Sequence, residues 1–266
     1  MCAFAANSVL TRAAVEGGHL SPGMFAIVRV AAGAAMLGAV ALWRGVSLPV
    51  FDRARLVGAA SLTTYMVGFS LAYLTLDAGL GALILFGVTQ ITMFGHAAVT
   101  GVPPNGRQMI GAAVAFAGLV LVLWPSGDGV TDPLGAAFMI LAGLGWAAYT
   151  IAGRSAADPL VATGASFALC LPVLVLMLGF RSFEWDWWGV LLAVICGALT
   201  SGLGYALWYS VLRQMRGVTA AVVQLSVPII AIVAGAILLG EAIQPAVVIA
   251  AVLVVGGIGW SVTAKR

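Results

Sequence analysis

This sequence predicts an all-α protein embedded in a membrane, with ten transmembrane helices forming two inverted five-helix repeats around a central cavity. Three observations carry that expectation. First, the 266 residues are 62 % hydrophobic and only 8 % charged, with a mean hydropathy of +1.12. Soluble domains carry about 25 % charged residues, and a water-soluble fold of this size has too little interior to hide so much apolar surface. Second, the chain divides into ten apolar runs at its charges, prolines and turn residues. Third, an aromatic element occurs twice, as GFSLAY at 68–73 and GYALWY at 204–209.

A spanning helix needs about 20 mostly apolar residues. The ten runs are approximately 1–14, 22–42, 56–76, 79–100, 107–124, 134–153, 160–179, 187–211, 217–239 and 245–263. The segments between them hold the breakers, among them EGGHLSPG, GVPPNGRQ, PSGDGVTDP and SAADP,. Charge then orients the chain. With a cytoplasmic N-terminus, nine of the twelve basic residues face inward, Arg12 and Arg181 face outward, and Arg29 lies within a span. The opposite orientation inverts that ratio, so both termini are expected in the cytoplasm. The basic residues are scattered singly and form no stripe for nucleic acid.

The two aromatic elements align residue by residue. Gly68, Phe69, Leu71 and Tyr73 fall on Gly204, Tyr205, Leu207 and Tyr209. Further on, Ala82, Val88, Ile91 and Ala97 match Ala221, Val227, Ile230 and Ala236, and Gly101, Ala112 and Gly118 match Gly240, Ala251 and Gly257. Residues 1–125 and 130–266 therefore read as two copies of one five-span unit. Five is odd, so the second copy enters the bilayer from the opposite side, and a substrate site is expected near the midplane where the copies meet.

Together with GVTAAVVQLSVPIIAIVAGAILLGEAIQP at 217–245, these motifs resemble the EamA repeat of the drug/metabolite transporter superfamily. The resemblance covers nearly the whole chain. It implies ten helices, a central cavity, and secondary-active export or exchange of small organic metabolites in the bacterial inner membrane. Amino-acid-like or amphipathic ring-bearing compounds would be its substrates. The first repeat departs from the pattern, with Thr89 where the second has Pro228 and Val102 where it has Glu241.

Ten residues are candidates for binding substrate. Arg29 is the one charge well inside a span. Such a charge is costly and is a site hypothesis by default; it would attract a carboxylate or phosphate, or else snorkel outward or pair with Glu16. Thr89, Thr92, His96 and Thr100 share one helical face, with Gln90 beside it. His96 would bind substrate, carry a coupling proton or bond a neighbouring helix. Gln224, one turn before Pro228, and the isolated amide of Asn7 face either the cavity or another helix. Tyr65, Phe69, Trp146, Tyr149 and Tyr205 are deep enough to stack on a ligand. Tyr65 and Phe69 are expected opposite Ser201 and Tyr205 across one cavity, where alanine at Phe69 or Tyr205 would weaken binding and leave folding nearly unchanged. Tyr73 and Tyr209, near span ends, read as interfacial anchors, and Glu241 as a loop-shaping residue.

No P-loop, H-E-x-x-H or G-x-S-x-G motif occurs,. An enzyme is not expected, nor a cofactor or metal. An intramembrane enzyme acting on lipid would need clustered polar groups at one depth, and a channel a continuous polar pore. Cys2, Cys170 and Cys196 lie in apolar runs without ligand spacing,. Expected partners are a small-molecule substrate, membrane lipid, and a coupling proton or exchanged metabolite, with no nucleic acid. The small-residue stripe Gly111, Ala115 and Gly118 suits close helix packing, either within the chain or in a homodimer.

Overall fold

A computed structural model describes residues 1–47, 53–100, 105–123, 131–153, 156–178, 186–212, 214 and 223–262. Among these, ten helices follow one another: α1 (Cys2–Val15), α2 (Pro22–Trp43), α3 (Arg53–Ala72), α4 (Ala78–Val99), α5 (Gly106–Leu123), α6 (Pro133–Gly153), α7 (Pro159–Leu178), α8 (Trp187–Leu212), α9 (Ser226–Leu238) and α10 (Pro245–Val262). Five of them, α2, α4, α6, α7 and α8, are long and apolar enough to cross a bilayer, and α1, α5, α9 and α10 are shorter apolar helices. The less apolar α3 carries Ser61, Thr63, Thr64 and Ser70. Large apolar side chains stand exposed, including Val99, Leu176, Ile237 and Val252, as a lipid-facing surface requires.

The breakers act where the sequence puts them, because each helix start must satisfy free N–H groups. Ser21 caps α2 ahead of Pro22. Asp132 accepts from Gly135 N–H at 2.6 Å and starts α6. Asp158 accepts from Leu160 N–H at 2.9 Å and starts α7, and Asp186 accepts from Gly189 N–H at 2.7 Å and starts α8. Asn105 and Gln108 cap each other reciprocally at 2.9 Å,. The start of α4 is different. Asp77 makes no side-chain cap; Glu241, from the α9–α10 connection, accepts from Ala78 N–H at 2.8 Å instead. Gly240, at φ +70°, turns the chain out of α9,, and Gly235 has no side chain where the Glu241 carboxylate sits. Glu241 is therefore more than a loop residue.

The helices pair in a pattern that survives exchange of the halves. α2 packs on α7, α4 on α9 and α5 on α10, each helix on its own counterpart. The pairs α3–α6, α3–α7 and α4–α6 are answered by α8–α1, α8–α2 and α9–α1. A pseudo-two-fold relation of inverted repeats demands this. The α5 stripe packs within the chain: a Cβ at Gly111 would strike the Gly257 carbonyl, and one at Gly257 would lie 2.6 Å from the Gly111 carbonyl,.

The odd-numbered connections gather at one end. His19 Nδ1 lies 2.7 Å from Asp186 Oδ2, Thr75 donates to Asp132 at 2.9 Å, and Arg12 reaches Asp77 at 3.5 Å and Glu241 at 3.6 Å. Neighbouring helices thus cross in alternating directions. Hydrogen bonds from Gly135 N–H and Gly189 N–H hold the carboxyls of Asp132 and Asp186 below the usual carboxylate range. A lowered carboxyl stabilises the fold above its ordinary pKa and loses that contribution as pH falls through the lowered value. The melting temperature should therefore drop as pH falls below about 4. A double Asp132→Asn, Asp186→Asn protein should show a flatter melting curve over that range in a thermal-shift titration; an unchanged curve would remove the two carboxylates from the stability of this end.

Candidate functional site

At the centre of the molecule sits Arg29, on α2, with no exposure. Its partners arrive from both halves. Helix α3 presents Tyr65 and Phe69 at i, i+4, and α8 presents Ser201 and Tyr205 at the same spacing, so each pair lies on one helical face. Arg29 Nε donates to Ser201 Oγ at 2.9 Å, and Nη2 donates to Tyr65 Oη at 3.1 Å and Tyr205 Oη at 3.0 Å. The guanidinium also stands over the rings of Phe69 and Tyr65, 5.0 and 5.5 Å from their centroids,. Glu16, the acid that sequence offered as a partner, pairs with Arg12 instead. Among the described residues no carboxylate lies within ion-pair distance of Arg29, and Nη1 has no hydrogen-bond partner.

Asn7 on α1 completes the polar layer. Its Oδ1 accepts from Thr200 at 2.7 Å, Ser201 at 3.0 Å and the Cys196 thiol at 3.3 Å. The Ser201 hydroxyl therefore accepts from Arg29 and donates to Asn7. This geometry depends on a π-helical segment, Cys196–Leu203, within α8. Such wider turns cluster at functional sites, and this one directs Cys196, Thr200 and Ser201 at Asn7. It also lets Gly197 lie against the Arg29 backbone, since a Cβ there would fall on the Arg29 carbonyl oxygen.

Around the polar layer is a box of rings. Trp146 on α6 lies 5.1 Å from Tyr65, 4.8 Å from Tyr205 and 5.6 Å from Tyr149 between centroids. Phe4 closes on Trp146 and Tyr205 edge-on, at 5.6 and 5.5 Å. The Trp146 indole N–H is buried without a partner. These rings pack on one another, so the expectation that alanine at Phe69 or Tyr205 leaves folding intact does not hold: each side chain is 1 % exposed, and truncating a buried Phe costs about 3–5 kcal/mol.

Open space begins one layer further along. A cavity of about 300 Å³ is lined by Arg55, Gly58, Tyr149, Asp158, Ser166 and Tyr209 among others, at the end that carries the α2–α3 and α6–α7 connections. Tyr149 and Tyr209 meet at 5.9 Å, and Tyr149 touches Trp146, so a short file of rings separates this cavity from Arg29.

Of the ten candidates, Asn7, Arg29, Tyr65, Phe69, Trp146, Tyr149 and Tyr205 are brought into this one assembly. Gln90 and Gln224 meet each other instead, at 3.4 Å, and the Gln224 amide nitrogen has no further partner. His96 stands exposed on α4 and is not brought to Arg29. Of the threonines on its face, Thr89 is buried and donates to the Gly143 carbonyl of α6 at 3.2 Å. Thr92 and Thr100 donate to carbonyls one turn back, Val88 and His96, which satisfies a hydroxyl without a neighbouring helix. Tyr73 and Tyr209 are buried, not interfacial anchors; Tyr73 donates to the Ala78 carbonyl at 3.3 Å across the α3–α4 turn. Phe4, Thr200, Cys196 and Gly197 were not legible as site residues, although Thr200 adjoins Ser201, four residues before Tyr205.

Comparisons with known proteins agree with this architecture. The profile of the EamA-like transporter family matches residues 133–263. The chain is 40 % identical over 262 residues to Uncharacterized protein PA1977 of Pseudomonas aeruginosa, covering 97 % of this chain and 90 % of that protein. A protein of known crystal structure shares the fold with a TM-score of 0.71 at 20 % identity, over 98 % of this chain and 96 % of its own. With ten helices paired by exchange of halves and a family match over the second of them, the chain is an integral membrane protein that belongs to the EamA-like transporter family.

Proposed function

We propose that this protein is a secondary-active transporter that carries a small organic metabolite with one anionic group, as an exporter or exchanger. The observation that supports this reading best is Arg29: a buried cation held, among the described residues, only by neutral hydroxyls and ring faces, with one guanidinium nitrogen unpartnered there. A buried charge without a counter-charge is expensive, and a ligand carboxylate would supply both the missing charge and the missing acceptor, in the fork geometry that arginine suits. The rings of Tyr65, Phe69, Trp146 and Tyr205 would hold an apolar or ring-bearing body beside it. Strongly multivalent substrates fit poorly, because no second intramembrane cation stands beside Arg29 in the sequence. The substrate passes chemically unchanged, by alternating access between the two halves, residues 1–125 and 130–266, whose boundary falls outside the described residues. Exchange for a second metabolite or a coupling proton would drive it. The excess of basic residues in even-numbered connections favours the bacterial inner membrane with both termini cytoplasmic.

The test is counterflow in proteoliposomes with a panel of labelled monocarboxylates, organic phosphates, neutral compounds and amines. Uptake of monoanions with an apolar body is expected; uptake confined to neutral or cationic compounds would overturn the reading. Tyr205→Phe keeps the ring and removes one hydroxyl from Arg29, and is expected to weaken substrate binding about tenfold, the lower end for a hydrogen bond to a charge. Unchanged half-saturation for that variant would take Tyr205 Oη out of the site.

A further inference from the structure

The two ends of this molecule are not equivalent, and the difference lies in residues outside the central site. At the end formed by the odd-numbered connections, Arg12 near the finish of α1 is only 12 % exposed. It donates from Nη1 to the carbonyls of Tyr73 at 3.2 Å and Leu74 at 3.3 Å, at the C-terminal end of α3, where backbone carbonyls attract a cation. It also reaches Asp77 at 3.5 Å, Glu241 at 3.6 Å and, at the 4.0 Å limit, Glu16. Glu241 in turn caps α4 through Ala78 N–H. One side chain therefore joins α1, the α3–α4 turn and the α9–α10 turn. The pairs His19–Asp186 and Thr75–Asp132 brace the remaining connections at the same end. At the other end lies the cavity of about 300 Å³, and the first repeat has Val102 where the second has Glu241. Inverted repeats would let the two ends interchange; in sequence only the second repeat carries a glutamate at this position.

We propose that Arg12, Asp77 and Glu241 form a charged lock that seals this end of the transporter, so that opening toward it requires Arg12 to leave the α3–α4 and α9–α10 turns. The proposal rests on the alternating-access reading above. Arg12 is a positioning residue: it follows Asn7 by five residues on α1, but its own bonds go to the α3–α4 and α9–α10 turns, and it acts by holding helices together. The lock closes over α1, and α1 carries Asn7, so its release would uncover the polar layer where the Cys196 thiol bonds Asn7.

That thiol supplies a readout that needs no substrate. In a Cys2→Ser, Cys170→Ser background Cys196 is the sole cysteine, and a membrane-impermeant maleimide added outside intact cells reports opening of the outer end. Slow labelling is expected in this parent. Arg12→Gln and Glu241→Gln should each raise the labelling rate about tenfold or more, as a loss of 1.4 kcal/mol of closure would. Glutamine at 241 keeps an acceptor for Ala78 N–H and thus the start of α4, and Asp77→Asn supplies a third, milder variant should Arg12→Gln fail to accumulate. Parental labelling rates in the folded variants, checked by their melting temperature in detergent, would overturn the lock. Because labelling is read without substrate, a failed lock is distinct from a failed assignment of the anionic ligand, which counterflow alone decides.

Discussion

Arg29→Met is expected to melt at a higher temperature than the parent and to transport nothing. The two effects have one cause. In the parent the guanidinium is buried among neutral groups, without a carboxylate in ion-pair distance among the described residues. Its desolvation is met only in part by three hydrogen bonds and two ring faces. Replacing even a buried ion pair by apolar residues is often neutral or stabilises a fold by about 1–4 kcal/mol, and a lone cation lacks the partner that offsets part of its desolvation. The neighbours tolerate its removal, because each keeps another bond: Tyr205 donates to Tyr65 at 3.2 Å, and Ser201 donates to Asn7 at 3.0 Å. Binding should suffer in the opposite direction. Truncating one side of a buried charge pair costs roughly 2–5 kcal/mol, which is about 30-fold or more in affinity. Arg29→Lys should recover only part, since a single ammonium cannot span Ser201 and both tyrosines.

The measurement is a thermal-shift titration with a transported anion. The parent should gain stability with ligand, by about 2.7 kcal/mol at a hundred times Kd, while Arg29→Met starts higher and at the same ligand concentration gains about 0.9 kcal/mol or less. A methionine variant that melts well below the parent, or gains as much from ligand as the parent does, would make Arg29 a structural residue and sink the anionic-substrate reading. Natural proteins retain such costly charges where function uses them.

What the sequence conveyed and what it did not divide along physical lines. Helix existence and order were legible because each helix is bounded by residues with a specific reason to stop or start one, such as Pro22, Asp132, Asp158 and Gly240. The partners of Arg29 were half legible. Tyr65, Phe69, Ser201 and Tyr205 could be placed on matching faces from their spacing of four, and the inverted repeat brought those faces together; their closeness to a single cation could not be read. Burial near span ends was misjudged for Tyr73 and Tyr209, because distance along a helix says nothing of what packs beside it. The threonine face of α4 divides along the helix: Thr89 is buried against α6, whereas Thr92 and Thr100 bond their own helix, and such a hydroxyl leaves no outward sign of whether it faces protein or lipid. Glu241 was read as a loop residue because its partner, the α4 start, lies 163 positions away. The π segment of α8 left no pattern at all, since one widened turn does not disturb composition or hydrophobic run length.

That segment carries the second large effect. Gly197→Ala is expected to destabilise the protein by about 1–3 kcal/mol, the usual cost of forcing atoms into a packed site, with Gly197→Val worse. The new Cβ would meet the Arg29 carbonyl oxygen, its carbonyl carbon 2.7 Å away and its Cα at 2.9 Å. These are backbone atoms of a neighbouring helix and cannot rotate aside, so α8 would have to withdraw from α2. Ser201 stands one turn beyond Gly197 and would move with it, lengthening the 2.9 Å bond to Arg29 Nε; affinity for the anion should fall along with stability. Gly38 on α2 and Gly256 on α10 provide the contrast, because a Cβ at either meets nothing within 4 Å. Alanine there should be neutral or stabilising, by up to the roughly 1 kcal/mol that separates glycine from alanine in a helix. Melting temperatures and ligand-induced shifts for the three alanine variants separate the explanations. If Gly197→Ala behaves like Gly38→Ala, the close approach of α8 to Arg29 is not what shapes the site.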